Sequence, residues 1–218
     1  MKVLAIDTVT EACSAALWIN SEIIERFVIE PRGHTELILP MIESLLAEAD
    51  ISLGRLDAIA VNRGPGSFTG VRICAGVAQG LAFSAQLPVV PVSSLQALAQ
   101  QAYLEAGYQQ TLSMIDARMN EVYWGTYHLR DSHMQLEGTE QVSSVISIPP
   151  GLFETHIAIG SGAAEYLTDS EKSKMDLKDS LRLPRAATIA MLAAELDLDK
   201  VTAESYEPVY LRNNVVHS

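Results

Sequence analysis

The sequence predicts an α/β protein of two halves, each a mixed β-sheet flanked by helices. Three observations carry that prediction. The apolar run Leu56 to Val61 leads into Gly64-Pro65-Gly66-Ser67-Phe68-Thr69-Gly70-Val71-Arg72 and then into the small-residue segment Ile73 to Ala85, which reads as strand, glycine-rich turn, helix. Before it the hydrophobic period changes from that of strands to that of a helix. After residue 110 a similar order of strands, turn and helix returns without any repeat in the sequence itself.

Lys2 to Asp7 is a buried-strand pattern that ends on an acid. Ser14 to Asn20 and Glu22 to Ile29 read as two further strands joined at Asn20-Ser21. From His34 to Ala49 the residues Ile38, Met41, Ile42, Leu45, Leu46 and Ala49 recur at helical spacing, with Leu37 and Leu39 adding apolar surface outside that stripe. Pro40 is tolerated only near a first turn, so this helix is expected to begin close to Glu36. A strand at Leu56 to Asn62, the glycine turn and its helix, a strand at Leu87 to Val92 and a helix at Ser94 to Ala106 complete the first hundred residues. In the second half, strands are expected at Leu112 to Asp116, Glu121 to Leu129, Met134 to Val142 and His156 to Ile159, with an irregular stretch at Val145 to Phe153. Helices are expected from Ala164 and over Thr188 to Leu196, the latter capped by Thr188, and Ser170 to Asp179 reads as a charged, exposed stretch. The expected division is residues 1–100, residues 101–200, and a tail over 201–218 docked on the body. Duplicated α/β units of this kind leave a cleft between them where ligands bind.

Composition narrows the function classes. The chain has 218 residues, 48% of them hydrophobic and 19% charged, with a net charge of -12. Such acidity disfavours autonomous nucleic-acid binding, because phosphate neutralisation supplies most non-specific affinity. Any RNA would be held through a partner. Cys13 and Cys74 match no metal spacing and are expected as free thiols of a reducing compartment. No apolar run approaches the ~20 residues of a membrane span and the first residues do not form a signal peptide, so a soluble cytoplasmic protein without membrane contact is expected.

The glycine turn allows two readings. Ser67 or Thr69 can cap the following helix, and a helix start with free N–H groups suits an anion. The spacing fits neither the Walker nor the dinucleotide pattern and no Lys closes the loop, so a tight structural turn is the competing reading. Asp7 is read as a structural cap in preference to a catalytic acid. His34, without His or Cys at ligand spacing, is read as a surface or capping residue, and His128, His133, His156 and His217 have no motif around them. Asp116 and Arg118 flank a strand-ending turn and are expected to pair with each other or to approach a nucleotide. Gly76 and Gly80 stand four apart in a helix whose other small residues are Ala75, Ala78, Ala82 and Ala85, which suggests close approach by another backbone.

Ile6-Asp7-Thr8, Arg63 to Arg72, Asp116-Ala117-Arg118 with Glu121-Val122-Tyr123, and Pro208-Val209-Tyr210-Leu211-Arg212 together resemble the bacterial TsaB (YeaZ) family over nearly the whole chain. The resemblance implies the actin-like ATPase, ribonuclease H-like fold. It also implies a role in placing threonylcarbamoyl on adenosine 37 of tRNA, as a non-catalytic scaffold that activates the catalytic paralogue TsaD, with TsaE as a further, ATP-using partner. TsaD carries a metal-binding His-x-x-x-His after the strand that follows the glycine turn. Here Ser94 and Leu98 fall at those positions, and neither suits a metal that prefers imidazole. The turn Thr8 to Cys13 has no glycine, and Glu11 would repel a phosphate.

On that basis no catalytic residue, metal site or cofactor is expected. The resemblance implies that the two first-half helices form the interface with TsaD, or with a second copy in its absence. The residues expected there are Ile38, Met41, Ile42, Leu45, Leu46, Val71, Cys74, Val77 and Leu81. Asp7, Ser67, Thr69, Asp116 and Arg118 are expected near the cleft or a nucleotide. The competing reading is a nucleotide-dependent enzyme or peptidase acting alone, but His-Glu-x-x-His and Gly-x-Ser-x-Gly are both missing.

Overall fold

A computed structural model describes residues 1–168 and 179–212. The expected stretch 170–178 and the tail beyond Arg212, His217 included, lie outside the described residues. The chain forms two compact units, residues 1–97 with 184–208, and residues 98–183 with 209–218.

The first unit is built on a five-stranded sheet in the order β3-β2-β1-β4-β5. Its strands are β1 (Lys2–Asp7), β2 (Ala12–Ile19), β3 (Glu22–Ile29), β4 (Ala58–Asn62) and β5 (Val89–Val92). The first three form an antiparallel meander, and β4 and β5 run parallel to β1. The sheet is thus mixed and carries helices on both faces, as expected. Strand alternation sends the two residue sets of the central strands into separate cores. Leu4, Ile6, Ile59 and Val61 meet helices α1 (His34–Glu48) and α2 (Phe68–Ala85) on one face. Val3, Ala5, Ala58 and Ala60 meet Ala186, Ile189, Ala190 and Ala193 on the other.

Helix α1 buries Ile38, Ile42 and Leu45, spaced i, i+4, i+7, against the first core. It starts at His34, two residues before the expected position, and Pro40 lies within it on an exposed side. The amides of Glu36 and Leu37 both bond Gly33 O, so the first turn closes ahead of the proline. His34 is not a surface residue. It is buried, with Nε2 2.9 Å from Thr10 O and 3.2 Å from Ala12 O, which pins the helix start to the turn before β2.

The helix that covers the opposite face comes from far along the chain. We label it α6 (Ala186–Glu195), and it spans a region expected in the second half. Its start is capped by tertiary contacts, not by Thr188, which is buried inside it. Ala186 N donates to Ser14 Oγ at 3.0 Å and Ala187 N to Glu25 Oε1 at 3.0 Å. Arg185 Nε donates to Glu25 Oε2 at 2.9 Å, with its guanidinium over the Phe27 ring. The segment after α6 pairs Val201 with Val89, and Gln79 Nε2 reaches Ala203 O and Tyr206 O. Residues 184–208 therefore belong to the first unit, and the expected boundaries at 100 and 200 are not those of the structure.

The second unit has a four-stranded sheet, β8-β7-β6-β9, from β6 (Gln110–Arg118), β7 (Glu121–Arg130), β8 (His133–Ser144) and β9 (Ile157–Ile159). Helix α3 (Ser94–Ala106) enters it from the first unit, and Gln100 ties it to the β7–β8 hairpin through Ser132 O and Met134 N. Two short helices, α4 (Leu152–Thr155) and α5 (Ser161–Tyr166), complete it. Helix α4 and a 3-10 turn at Val145–Ser147 occupy the stretch expected to be irregular. Leu112, Met114, Val122, Trp124 and Ala163 form its core.

Replacing the fully buried Leu45 by alanine should cost about 3 kcal/mol through lost packing and the remaining cavity. Urea unfolding measures it; a loss below ~0.5 kcal/mol would mean that Leu45 does not face the core.

Candidate functional site

The glycine-rich turn is held from both sides by its own chain. Asn62, the last residue of β4, accepts from Gly64 N at 3.0 Å, where Gly64 adopts φ +93°. Ser94 Oγ lies 2.7 Å from both Asn62 Oδ1 and Pro65 O. From the opposite side comes the turn that links β1 to β2. Ser67 N donates to Val9 O at 2.7 Å, and Thr8 Oγ1 donates to Gly70 O at 2.8 Å. A Cβ on Gly66 would stand 2.4 Å from Val9 O, and one on Gly70 would stand 2.1 Å from Thr8 O. These glycines are there so that two backbone segments of this chain can touch.

Ser67 is the N-cap of α2 and accepts from Gly70 N at 3.4 Å, while Thr69 lies exposed in the first turn. Two N–H groups that would meet an anion, those of Ser67 and Gly70, are thus already engaged. The geometry favours the structural-turn reading of this motif over the anion reading.

Asp7 is fully buried beside this junction. Its Oδ1 accepts from Val9 N at 3.0 Å, which makes it the cap of the Thr8–Val9 turn, while Oδ2 has no hydrogen-bond partner. Burial pushes the carboxyl up to about 7, offset in part by the Val9 amide and by Asn62. Cys74, buried beneath it, donates to Ile6 O at 3.2 Å; burial raises its thiol well above the ordinary range, and pushes that of Cys13 up to about 11. Both cysteines are free and buried. Ser94 and Leu98, the residues that the resemblance sets against the TsaD histidines, are fully buried as well. Among the described residues no three His, Cys, Asp or Glu side chains converge as metal ligands.

In the second unit Asp116 and Arg118 pair with each other at 2.9 Å. Asp116 Oδ1 also accepts from Arg118 N at 2.8 Å and from the Tyr166 hydroxyl at 2.9 Å, so its acceptor positions are used locally. Burial and the hydrogen bond to Asp116 raise the Tyr166 phenol above its ordinary value. Arg212 bonds Ala117 O at 3.2 Å and pairs with Glu121, which anchors the last described residue on the β6–β7 hairpin. The half-to-half echo reaches the glycines. Gly160, at φ +96° before α5, would place a Cβ 2.1 Å from Met114 O of β6, as Gly70 would on Thr8 O.

Comparison with known proteins fits this geometry. Residues 28–149 match the family model described as TsaD, tRNA N6-adenosine threonylcarbamoyltransferase. The tRNA threonylcarbamoyladenosine biosynthesis protein TsaB of Escherichia coli is 41% identical over 99% of this chain and 96% of its own length. The chain belongs to the TsaB family. The protein of the same name from Haemophilus influenzae is 39% identical over 99% of this chain and 95% of its own. A Pseudomonas aeruginosa structure described as an uncharacterized protein with similarity to peptidase YEAZ superposes with a TM-score of 0.84 at 41% identity, covering 97% of this chain and 99% of that one. YeaZ from Pseudomonas aeruginosa superposes at 0.81 with 40% identity, over 96% and 99%.

The expected interface residues divide sharply. Ile38, Ile42, Leu45, Val71 and Cys74 are buried in the core of this chain and offer nothing to a partner. The helical stripe of α1 and the buried stripe of α2 are the faces turned to the sheet, which spacing alone does not distinguish from outward faces. Met41, Leu46, Val77 and Leu81 are half-buried at the margin of that core. The outward surface holds residues that the stripe did not single out: Leu39 on α1, and Phe68 and Phe83 on α2, the last 67% exposed. Gly76 and Gly80 are exposed too, and a Cβ at either would meet nothing within 4 Å. The signal available in the sequence was those two glycines, four apart in a helix and without any need of a turn.

The two glycine classes separate by substitution. Gly70→Ala should destabilise the fold by several kcal/mol, because a backbone carbonyl blocks the added carbon. Gly76→Ala should be neutral or stabilising by up to ~1 kcal/mol through helix propensity; thermal melts of both variants check the pair. Asp7 holds its proton in the fold up to about pH 7 but in the unfolded chain only to about pH 4. Its contribution is full below pH 4 and is lost as pH rises to 7, at about 1.4 kcal/mol per unit. Asp7→Asn should therefore be more stable than the parent by a few kcal/mol at pH 7.5 and by far less at pH 4.5, read by urea unfolding at both pH values.

Proposed function

We propose that this protein acts in tRNA threonylcarbamoyladenosine biosynthesis as a non-catalytic scaffold and activating subunit. It works with TsaD and TsaE in threonylcarbamoyl transfer to adenosine 37. The observation that carries this reading is the outward face of α2. There Gly76 and Gly80 leave open space between exposed Phe68 and Phe83, with Leu39 of α1 exposed on the neighbouring helix. Small residues flanked by aromatics let a partner helix approach closely and bury apolar area at its centre. The occupant is the corresponding face of TsaD, or of a second copy when TsaD is absent.

Two further observations support a binding role over an enzymatic one. The glycine turn is filled by Thr8 and Val9, and Ser94 and Leu98 replace the histidines of the TsaD pattern. By binding the competent conformation of TsaD more tightly, the subunit raises the population of that state. The net charge of -12 leaves tRNA to be held by other subunits.

The test is reconstitution of tRNA modification with TsaD and TsaE. Omitting this chain should abolish product, and adding it back should restore it. Gly76→Arg or Phe83→Glu should weaken binding to TsaD at least roughly tenfold in calorimetry while the monomer stays folded. ATP turnover by the purified chain alone, abolished by Asp7→Ala, would overturn the reading.

A further inference from the structure

Asp7 and Asn62 end the adjacent parallel strands β1 and β4, whose register places Ile6 opposite Val61 and so brings these two side chains level. Each holds one of the two turns that meet at the start of α2. Asp7 Oδ1 holds Val9 N, and Asn62 Oδ1 holds Gly64 N. Each also has one atom buried without a partner: Asp7 Oδ2 and Asn62 Nδ2. These atoms are complementary only in one protonation state. With Oδ1 accepting from Val9 N, the proton of a neutral acid sits on Oδ2 and sets an O–H toward the amide N–H, donor against donor, whereas a carboxylate would accept from that amide at Oδ2. Two buried polar atoms left unsatisfied at the ends of neighbouring strands are a costly arrangement unless another state pairs them.

We propose that Asp7 and Asn62 form a proton-linked clamp: when the Asp7 proton leaves to solvent, Asn62 Nδ2 donates to Asp7 Oδ2 and ties the Thr8–Val9 turn to the glycine turn. The neutral acid leaves the two turns joined by Ser67 N on Val9 O and Thr8 Oγ1 on Gly70 O.

The surroundings leave Asp7 as the group that titrates near neutrality. From β2 it faces Cys13 and from α2 Cys74, both thiols raised by burial and by Asp7 itself, hence protonated. From β3 it feels Glu25, whose carboxylate is engaged by Arg185 and the Ala187 amide. Strand β4 supplies Asn62, and α6 packs alanines and Ile189 against the sheet. Burial brings the Asp7 carboxyl to about 7, so both states are populated at physiological pH. Resting on the reading of α2 as a docking helix, the clamp also sets how firmly that helix is seated when a partner arrives.

The experiment is an NMR titration of the full isolated chain, labelled with carbon-13 and nitrogen-15, from pH 5.5 to 8.5. It needs no partner, so its failure is separate from any failure of the assembly reading. The Asp7 Cγ and Asn62 side-chain amide resonances should titrate with one common midpoint, the amide protons moving downfield as the acid ionises. Asp7→Asn should abolish the Asn62 titration. Asn62→Ala should raise the Asp7 midpoint by about one unit, a tenfold change in proton affinity. An Asn62 amide that stays still while Asp7 titrates, one that still titrates in Asp7→Asn, or an unchanged Asp7 midpoint in Asn62→Ala would overturn the clamp. Should Asn62→Ala fail to fold, the titration of the natural chain decides.

Discussion

The contact on which the first unit turns is that of two backbones without side chains between them. Thr8 and Val9 present their carbonyls to Gly66 and Gly70 at distances that any Cβ would forbid. Through that contact the end of β1, the start of α2 and the end of β4 share one small volume. The hydrogen bonds at the junction are largely backbone groups satisfied by backbone or by short side chains such as Thr8, Ser67, Asn62 and Ser94. In a protein interior such groups must be paired, because desolvation is costly without a bond. The same pairing that makes the junction stable takes up the N–H groups of Ser67 and Gly70 at the start of α2.

The first sheet divides its strands between two cores by alternation, and residue size follows the division. On the α1 and α2 side the strands carry Leu, Ile and Val; on the α6 side they carry mainly alanine and valine. Small residues on that face let α6 lie close, and its alanines return the favour. The cap of α6 is then completed by Ser14 and Glu25 from strands distant in sequence. The outward surfaces of α1 and α2 still carry exposed apolar side chains, as do Ile23 and Ile29 of the edge strand β3. Phe68, Phe83 and Leu39 are exposed beside open glycines, which is the observation the proposed docking role rests on.

Much of this was legible in the sequence. Periodicity located every strand of the first sheet within two residues at most boundaries, and it placed α3 over Ser94–Ala106 without error, since long apolar alternation and helical stripes are local signals. The resemblance carried by Arg63 to Arg72 placed the chain in its family. What was not legible is orientation. A stripe of Ile38, Ile42 and Leu45 says that one face is apolar, and both a core and an interface want such a face. The structure buried that stripe, and the interface reading passed to residues that break the period. Likewise Thr188 looked like a cap, but the caps came from Ser14 and Glu25, more than a hundred residues away.

The chain's own sequence determined the element order, the doubled α/β plan, the glycine turn and the family, because each depends on residues near one another along the backbone. Only the tertiary structure decided that the glycine turn is filled by Thr8 and Val9, that residues 184–208 return to the first unit, and that Asp7 and Asn62 meet with unpaired atoms. Those outcomes depend on strands and turns brought together across 62 to 162 residues, where local propensity carries no information about distance or burial.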